Sequence, residues 1–352
     1  MNSVLLEDIE KVAKSNLPFF LYRKCTFLIT GATGLIGSLL IKSLLYCNQL
    51  YGLEIKIIAM IRNTEKAKKI FRDELPDTAL TFLEQDLVLP MKEIKERIDY
   101  IIHAAAITKS KYMVNYPADN IILSVGGTMS ILELARKMCV KGMVYISSME
   151  VYGDLGDLEY KVTEEKLGYI DIASPRSCYP EGKRLCECLC NAYVSQYHLN
   201  IKSARLAQTF GPGILDDEDR VFAQFARSVI FSQNIVLHTD GTSDGNYVYT
   251  VDAIIAILLL LTAGSSGNAY NITNEDNHMT IRDMAEVVAE KVAYGKIKII
   301  YDIKSDVASK GYFPRVKLNL CADKMRELGW TPHEGIVEMY QRMIAYMISD
   351  KC

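Results

Sequence analysis

The sequence predicts an α/β protein built on a doubly wound parallel sheet, with a smaller C-terminal lobe to take the substrate. Three observations carry this reading. An apolar run over residues 27–30 stops at Gly31, and Gly31, Gly34 and Gly37 open a segment in which Leu35, Ile36, Leu39, Leu40, Leu44 and Leu45 recur at helical spacing. The alternation of short apolar strand and helix then repeats along the first 206 residues, which calls for parallel strands joined by right-handed crossovers. A chain of 352 residues can also bury a sizeable core, as one large or two moderate domains.

Taken in order, residues 1–23 precede the first strand as a helical extension, with Val4, Leu5, Ile9 and Val12 on one face to pack on the nucleotide domain or a partner subunit. The glycine turn follows. Gly31 can take the tight bend, Gly34 lets backbone approach a pyrophosphate, and Gly37 lets helix pack on strand; the helix start, with Thr33, Leu35 and Ile36, offers N–H groups and a positive dipole to phosphates. NAD or NADP is therefore expected there, the alternative being a purely structural connection. A second strand over 54–61 leads to a helix over 64–71. A third over 80–83 leads to Asp86 and Leu87, and a fourth over 99–102 ends in His103, Ala104, Ala105 and Ala106, strand-end positions placed in the cofactor site. At the end of the second strand a carboxylate would bind the adenosine ribose; the chain has Arg62 instead, which suits the 2′-phosphate of NADP or else lies over adenine or in solvent.

A long helix over about 121–137 leads into the fifth strand, 142–148, whose carboxyl end is where open sheets bind ligands. Mixed loop follows until a second long helix, from Tyr179 to about 197, and a sixth strand over 201–206. The loop over 207–220, with two glycines and a proline, departs toward a second lobe. Residues 247–261 return to the sheet, 269–272 add a last strand, and 278–352 are mostly helical with one strand near 297–301. The expected division is a nucleotide domain over 24–206 with returns near 235–272, and a substrate lobe over 207–234 and 273–352.

Composition excludes several classes. With 40 basic and 43 acidic residues there is no field to attract nucleic acid or an anionic membrane. The apolar stretch 253–263 falls short of the roughly 20 residues of a membrane span and reads as a buried helix. The N-terminus lacks the basic start of a signal peptide, so a cytoplasmic protein is expected. Nine cysteines are scattered as reduced thiols, and Cys186, Cys188 and Cys190 alternate faces of one helix, so no metal site is expected.

Tyr179 and Lys183, four apart, share a helical face, where an ammonium can lower a phenol toward neutrality and make it an acid or base for an alcohol proton during hydride transfer. Tyr294 and Lys298 have the same spacing in a strand-like, glycine-containing context, which shows how little spacing says alone. Order distinguishes the first pair: glycine turn, strand-end serine, then tyrosine and lysine. Here the chain resembles the extended short-chain dehydrogenase/reductases, the nucleotide-sugar epimerases, dehydratases and decarboxylases, over about residues 24–345, through TGATGLIG, HAAA, SSMEVYGD, PRSCYPEGKR and ARLAQTFGP. The resemblance implies a Rossmann fold in which Ser148 hydrogen-bonds the reacting oxygen, Tyr179 is the acid/base, and Lys183 binds the nicotinamide ribose and tunes Tyr179. It also implies a homodimer formed through the two long helices, and a place in polysaccharide or glycolipid precursor synthesis.

Where dTDP-glucose 4,6-dehydratases resemble Asp-Glu, this chain has Met149 and Glu150, and a thioether cannot donate the proton that dehydration needs. Ser148, Met149, Glu150 and PRSCYPEGKR look most like UDP-glucuronate decarboxylases, with Glu150 ordering substrate or water, or alternatively bonding backbone as a structural carboxylate. Gln208 and Gln224 stand where those enzymes carry asparagines, Arg220 fits a basic residue near the nucleotide, and Gly245 and Tyr312 replace expected arginines. Loss of two bidentate clamps means a differently held diphosphate or a different substrate. Ser124 likewise replaces the asparagine of an NxxGT motif. The expected substrate is a nucleotide sugar bound by Ser148, Met149, Gln208, Arg220 and Gln224, decarboxylated after oxidation at C4. A 4-epimerase, an NADPH-dependent 4-ketoreductase and a non-catalytic cofactor-binding regulator are the alternatives.

Overall fold

The computed structural model describes residues 2–156, 160–303 and 317–349. In chain order the elements are α1 (Ser3–Ala13), β1 (Thr26–Thr30), α2 (Leu35–Tyr51), β2 (Lys56–Ile61), α3 (Thr64–Ile70), β3 (Leu80–Glu84), β4 (Tyr100–His103), α4 (Ser110–Asn115), α5 (Pro117–Ile121), α6 (Gly127–Met138), β5 (Gly142–Ser148), α7 (Cys178–Tyr197), β6 (Ile201–Leu206) and β7 (Gln208–Phe210). They continue with α8 (Val221–Ile230), β8 (Ile235–Leu237), β9 (Asp244–Tyr249), α9 (Thr250–Ala263), β10 (Ala269–Ile272), β11 (Asn274–Thr280), α10 (Ile281–Val287), β12 (Ile299–Tyr301), α11 (Asp323–Glu327) and α12 (Ile336–Ser349).

Seven parallel strands form the main sheet in the order β10-β6-β5-β4-β1-β2-β3, the doubly wound arrangement that the alternating pattern predicts. Every residue of β1 and β4 is buried, as strands covered on both faces require. Leu28 pairs with Ile58 on one side and Ile101 on the other. The strand ends of β1, β4 and β5 therefore lie side by side, which brings the glycine turn, the alanine run and Ser148 to one edge.

Several boundaries differ from expectation for local reasons. β2 begins at Lys56 rather than 54 because Glu54 takes a left-handed backbone, φ 59°. The helix expected over 121–137 starts earlier, at Pro117, and passes through a π-helical turn, Ile122–Gly126, before α6. α7 ends where His198 turns left-handed, φ 55°. Residues 247–261 split: β9 joins β7 and β11 in a separate three-stranded sheet, and only α9 returns, packing on β5 and β6.

α9 is buried all round, as its unbroken apolar run requires, and full burial of Leu258 or Leu260 contributes about 2 kcal/mol each. α1 packs on its own chain, against α2, α9 and α12. Its Asp8 carboxylate accepts from the Tyr249 hydroxyl at 2.5 Å and from Arg342 at 2.6 Å. Among the described residues no helix is long and apolar enough to cross a membrane.

Candidate active site

The cofactor turn is built by close backbone approach. Gly31 has φ +63°, and a Cβ there would lie 2.6 Å from the Ala104 carbonyl oxygen; a Cβ on Gly37 would lie 2.4 Å from the Gly31 oxygen. Gly34 precedes α2 with no side-chain cap, so the helix start keeps its N–H groups for a ligand, and Thr33, Leu35 and Ile36 are partly exposed around it. Ala104, Ala105 and Ala106, also partly exposed, form the adjoining strand end. These residues fit a dinucleotide's pyrophosphate. Asp86 is turned to its own loop, accepting the Val88 N–H at 3.2 Å, and Leu87 is buried beside Gly127. Arg62 is exposed at the end of β2, next to Asn63, which caps α3 through the Lys66 N–H at 2.8 Å.

Ser148, Glu150, Tyr179 and Lys183 come together at the carboxyl end of β5. Ser148 closes the strand and accepts the Glu150 N–H at 3.2 Å, which starts a short 3₁₀ turn, Met149–Tyr152. Tyr179 and Lys183 lie on the buried face of α7. The Lys183 ammonium donates to the Ile146 carbonyl at 2.6 Å and stands 5.8 Å from the Tyr179 ring centre. Burial lowers the Lys183 pKa to about 8.

Tyr179 departs from expectation. Burial, with the Glu150 charge adding to it, pushes the phenol up to about 12 against the Ser148 hydrogen bond and the charges of Arg220 and Arg176. Desolvation outweighs the neighbouring cations in the protein alone, so the phenol is not brought toward neutrality.

Arg176, within PRSCYPEGKR, joins this site without a sequence pattern that marks it. It donates to both Glu150 oxygens, at 2.8 and 3.0 Å, and its guanidinium lies 5.6 Å from the Tyr179 ring centre. Three residues before Tyr179 was the only clue. Glu150 is thus an ion-paired carboxylate beside the phenol, rather than one bonding backbone.

The substrate-side residues divide. Met149 is buried, and a Cβ on Gly245 would sit 3.6 Å from its methyl, so Gly245 does face this site. Arg220 is held by Glu218 at 2.6 and 2.9 Å, with Gln208 at 3.4 Å. Gln224 is exposed on α8 and donates to the Asp219 carbonyl at 2.6 Å. Tyr312 lies outside the described residues. Tyr294 is exposed with left-handed φ 53°, and Lys298 leads into β12, so that pair shares no helical face. Cys186 and Cys190 are buried and Cys188 exposed, on different sides of α7.

The sheet order and glycine turn define the class: a Rossmann-type dinucleotide-binding protein. The profile of the NAD dependent epimerase/dehydratase family matches residues 27–273. The chain belongs to that family, as a nucleotide-sugar-modifying enzyme with NAD as its cofactor. Among similar proteins, UDP-glucuronic acid decarboxylase 1 of Xenopus tropicalis is 26% identical over 321 residues, 91% of this chain and 71% of that protein. UDP-glucuronic acid decarboxylase 6 of Arabidopsis thaliana is 26% identical over 314 residues, 89% and 86% of the two chains. Of solved structures, the Bacillus cereus UDP-glucuronic acid 4-epimerase in complex with UDP-glucuronic acid and NAD superposes with TM-score 0.74 at 20% identity, covering 92% of this chain and 99% of that one.

Proposed function

We propose that this enzyme decarboxylates a nucleotide-linked uronic acid, UDP-glucuronate or a close relative, after oxidising it at C4. The observation that carries the reading is the convergence of Ser148, Tyr179 and Lys183 with Glu150 beside the phenol, and Met149 where elimination of water would need an acid. Similarity to UDP-glucuronic acid decarboxylases over most of the chain supports it.

Tyr179, whose phenol burial holds at about 12 in the protein alone, reaches its phenolate in the bound complex and there takes the C4 hydroxyl proton while Ser148 hydrogen-bonds the same oxygen. Lys183, anchored on the Ile146 carbonyl, holds its ammonium near the phenol and stabilises the phenolate. NAD, when bound, supplies the hydride acceptor and later the hydride donor. With a ketone at C4 the substrate is a β-keto acid: the bond from C5 to the carboxyl carbon breaks, carbon dioxide leaves, and the electron pair passes to the C4 oxygen as an enolate. C5 then takes a proton, and Tyr179 returns its proton to the C4 oxygen as the ketone is reduced, so no cofactor is consumed.

A 4-epimerase is the second reading. It is favoured by the commitment of Arg176 to Glu150 and Arg220 to Glu218, which occupies guanidinium groups that a substrate anion could use. Incubation with UDP-glucuronate, followed by mass spectrometry, separates the two. Loss of carbon dioxide without net cofactor use supports decarboxylation, unchanged mass with a new isomer means epimerisation, and no reaction overturns both for this substrate. We also propose a cytoplasmic homodimer. Exposed Ile121, Ile122 and Met129 on the helix through the π turn, and Leu185 on α7, provide the apolar surface for it. A monomeric mass at micromolar concentration would refute that assembly.

A further inference from the structure

Behind the catalytic helix runs a chain of buried polar groups that no step above uses. His103, at the end of β4 and 2% exposed, has Nδ1 2.7 Å from the Thr30 hydroxyl and Nε2 3.2 Å from the Thr128 hydroxyl. Thr30 also accepts the Ala105 N–H at 3.1 Å. The Thr128 hydroxyl is 3.3 Å from Cys186 Sγ, which is 3.2 Å from the Ser124 carbonyl oxygen in the π-helical turn.

With the imidazole neutral, one direction for the links satisfies the valence of every group. A carbonyl only accepts, so the Cys186 thiol spends its one proton on Ser124. It must then accept from Thr128, whose hydroxyl proton is thereby used, so Thr128 accepts from His103 Nε2–H. The imidazole is neutral, since burial and the Lys183 charge press its pKa down to about 3, and Nδ1 therefore accepts from Thr30. Thr30 is left to accept from Ala105. The chain begins in the cofactor turn and ends beside α7, where Gly182 would bring a Cβ to 3.6 Å from the Ser124 side chain. The Tyr145 ring lies between its middle and the active site, 5.8 Å from the His103 ring, with the Lys183 ammonium 4.8 Å from its centre.

We propose that Thr30, His103, Thr128 and Cys186 are positioning residues, a one-way hydrogen-bond chain that sets the spacing between the cofactor turn at Ala105 and the helix bearing Tyr179 and Lys183. The functional part rests on Tyr179 and Lys183 being the acid/base pair of the preceding reading. Without the thiol, Thr128 loses that acceptor; its proton turns to His103 Nε2, in competition with the Ser124 carbonyl that the thiol releases, and the imidazole proton then moves to Nδ1 and is donated to Thr30. A substitution at Cys186 is thus read out at His103.

The test uses the full-length protein labelled with ¹⁵N-histidine, whose five imidazoles are resolvable by long-range ¹H–¹⁵N correlation. The expected result is the Nε2–H tautomer for His103 in the native protein and in Cys186→Ser, which keeps one donor and one acceptor, and the Nδ1–H tautomer in Cys186→Ala. Cys186→Ala and Thr128→Val should each raise the NAD dissociation constant, and lower the rate of UDP-glucuronate turnover, on the order of tenfold, with Cys186→Ser restoring both. An Nδ1–H tautomer in the native protein overturns the proposal. So does a Cys186→Ala protein with native tautomer and native NAD affinity, or a Cys186→Ser protein as impaired as Cys186→Ala. Full turnover in Tyr179→Phe would instead remove the acid/base assignment and leave the tautomer and NAD-affinity results standing.

Discussion

Replacing Lys183 should make the protein more stable and, on the proposed mechanism, inactive at once. Lys183 is 4% exposed, and burial holds its pKa at about 8 against an ordinary 10.5. Below pH 8 both folded and unfolded chains carry the proton, and the folded chain bears the full cost of a buried ammonium. Between about 8 and 10.5 the folded chain has released the proton and the unfolded chain has not, so stability rises with pH across that window. The gap corresponds to about 3 kcal/mol. Lys183→Met keeps most of the side-chain volume and removes the charge, while leaving the Ile146 carbonyl without its partner at a cost of about 1 kcal/mol. The net expectation is a gain of about 2 kcal/mol at pH 7, with turnover abolished. Urea unfolding of native and Lys183→Met protein, at pH 7 and again near 10.5, measures the difference directly. It should be largest at pH 7 and fade toward the higher pH. A variant less stable at pH 7, or a difference that does not change with pH, would refute the reasoning.

The buried pair Glu187–Arg205 joins α7 to β6, with Ser147 and Tyr152 bonded into it. Glu187→Ala should cost about 3–5 kcal/mol by leaving the guanidinium uncompensated, whereas Glu187→Met with Arg205→Met should come close to native stability; denaturant midpoints decide. Gly37→Ala places a Cβ 2.4 Å from the Gly31 oxygen and should abolish NAD binding measured by calorimetry, or lower stability by about 1–3 kcal/mol. Gly34→Ala, whose Cβ would be 3.3 Å from that oxygen, should cost much less stability. Glu150→Gln removes a charge that holds the Tyr179 phenol up and frees Arg176 to act on it. The acid limb of the kcat/KM profile should therefore move to lower pH, and an unmoved limb would show that Glu150 does not set the base.

Strand and helix identities were legible wherever the pattern was local and uninterrupted. β5, β6 and β10 fall at their expected bounds. The start of β2 was not legible, because a left-handed Glu54 leaves no mark in composition. Ser148, Glu150, Tyr179 and Lys183 could be singled out by order along the chain. Arg176, 26 residues from Glu150, could not be matched to it, nor Thr30 to His103 across 73 residues.

The sequence by itself determined the glycine turn, the alternation that makes a parallel sheet, and the shared helical face of Tyr179 and Lys183, since these follow from the stereochemistry of neighbouring residues. Only the tertiary structure decided how those side chains are charged and paired. The Tyr179 phenol is raised where spacing alone predicted it lowered, Arg220 is bound to Glu218, and His103 is set between Thr30 and Thr128. Desolvation and hydrogen-bond valence act between groups brought together from distant parts of the chain, and in a buried site they outweigh the short-range interactions that spacing reveals.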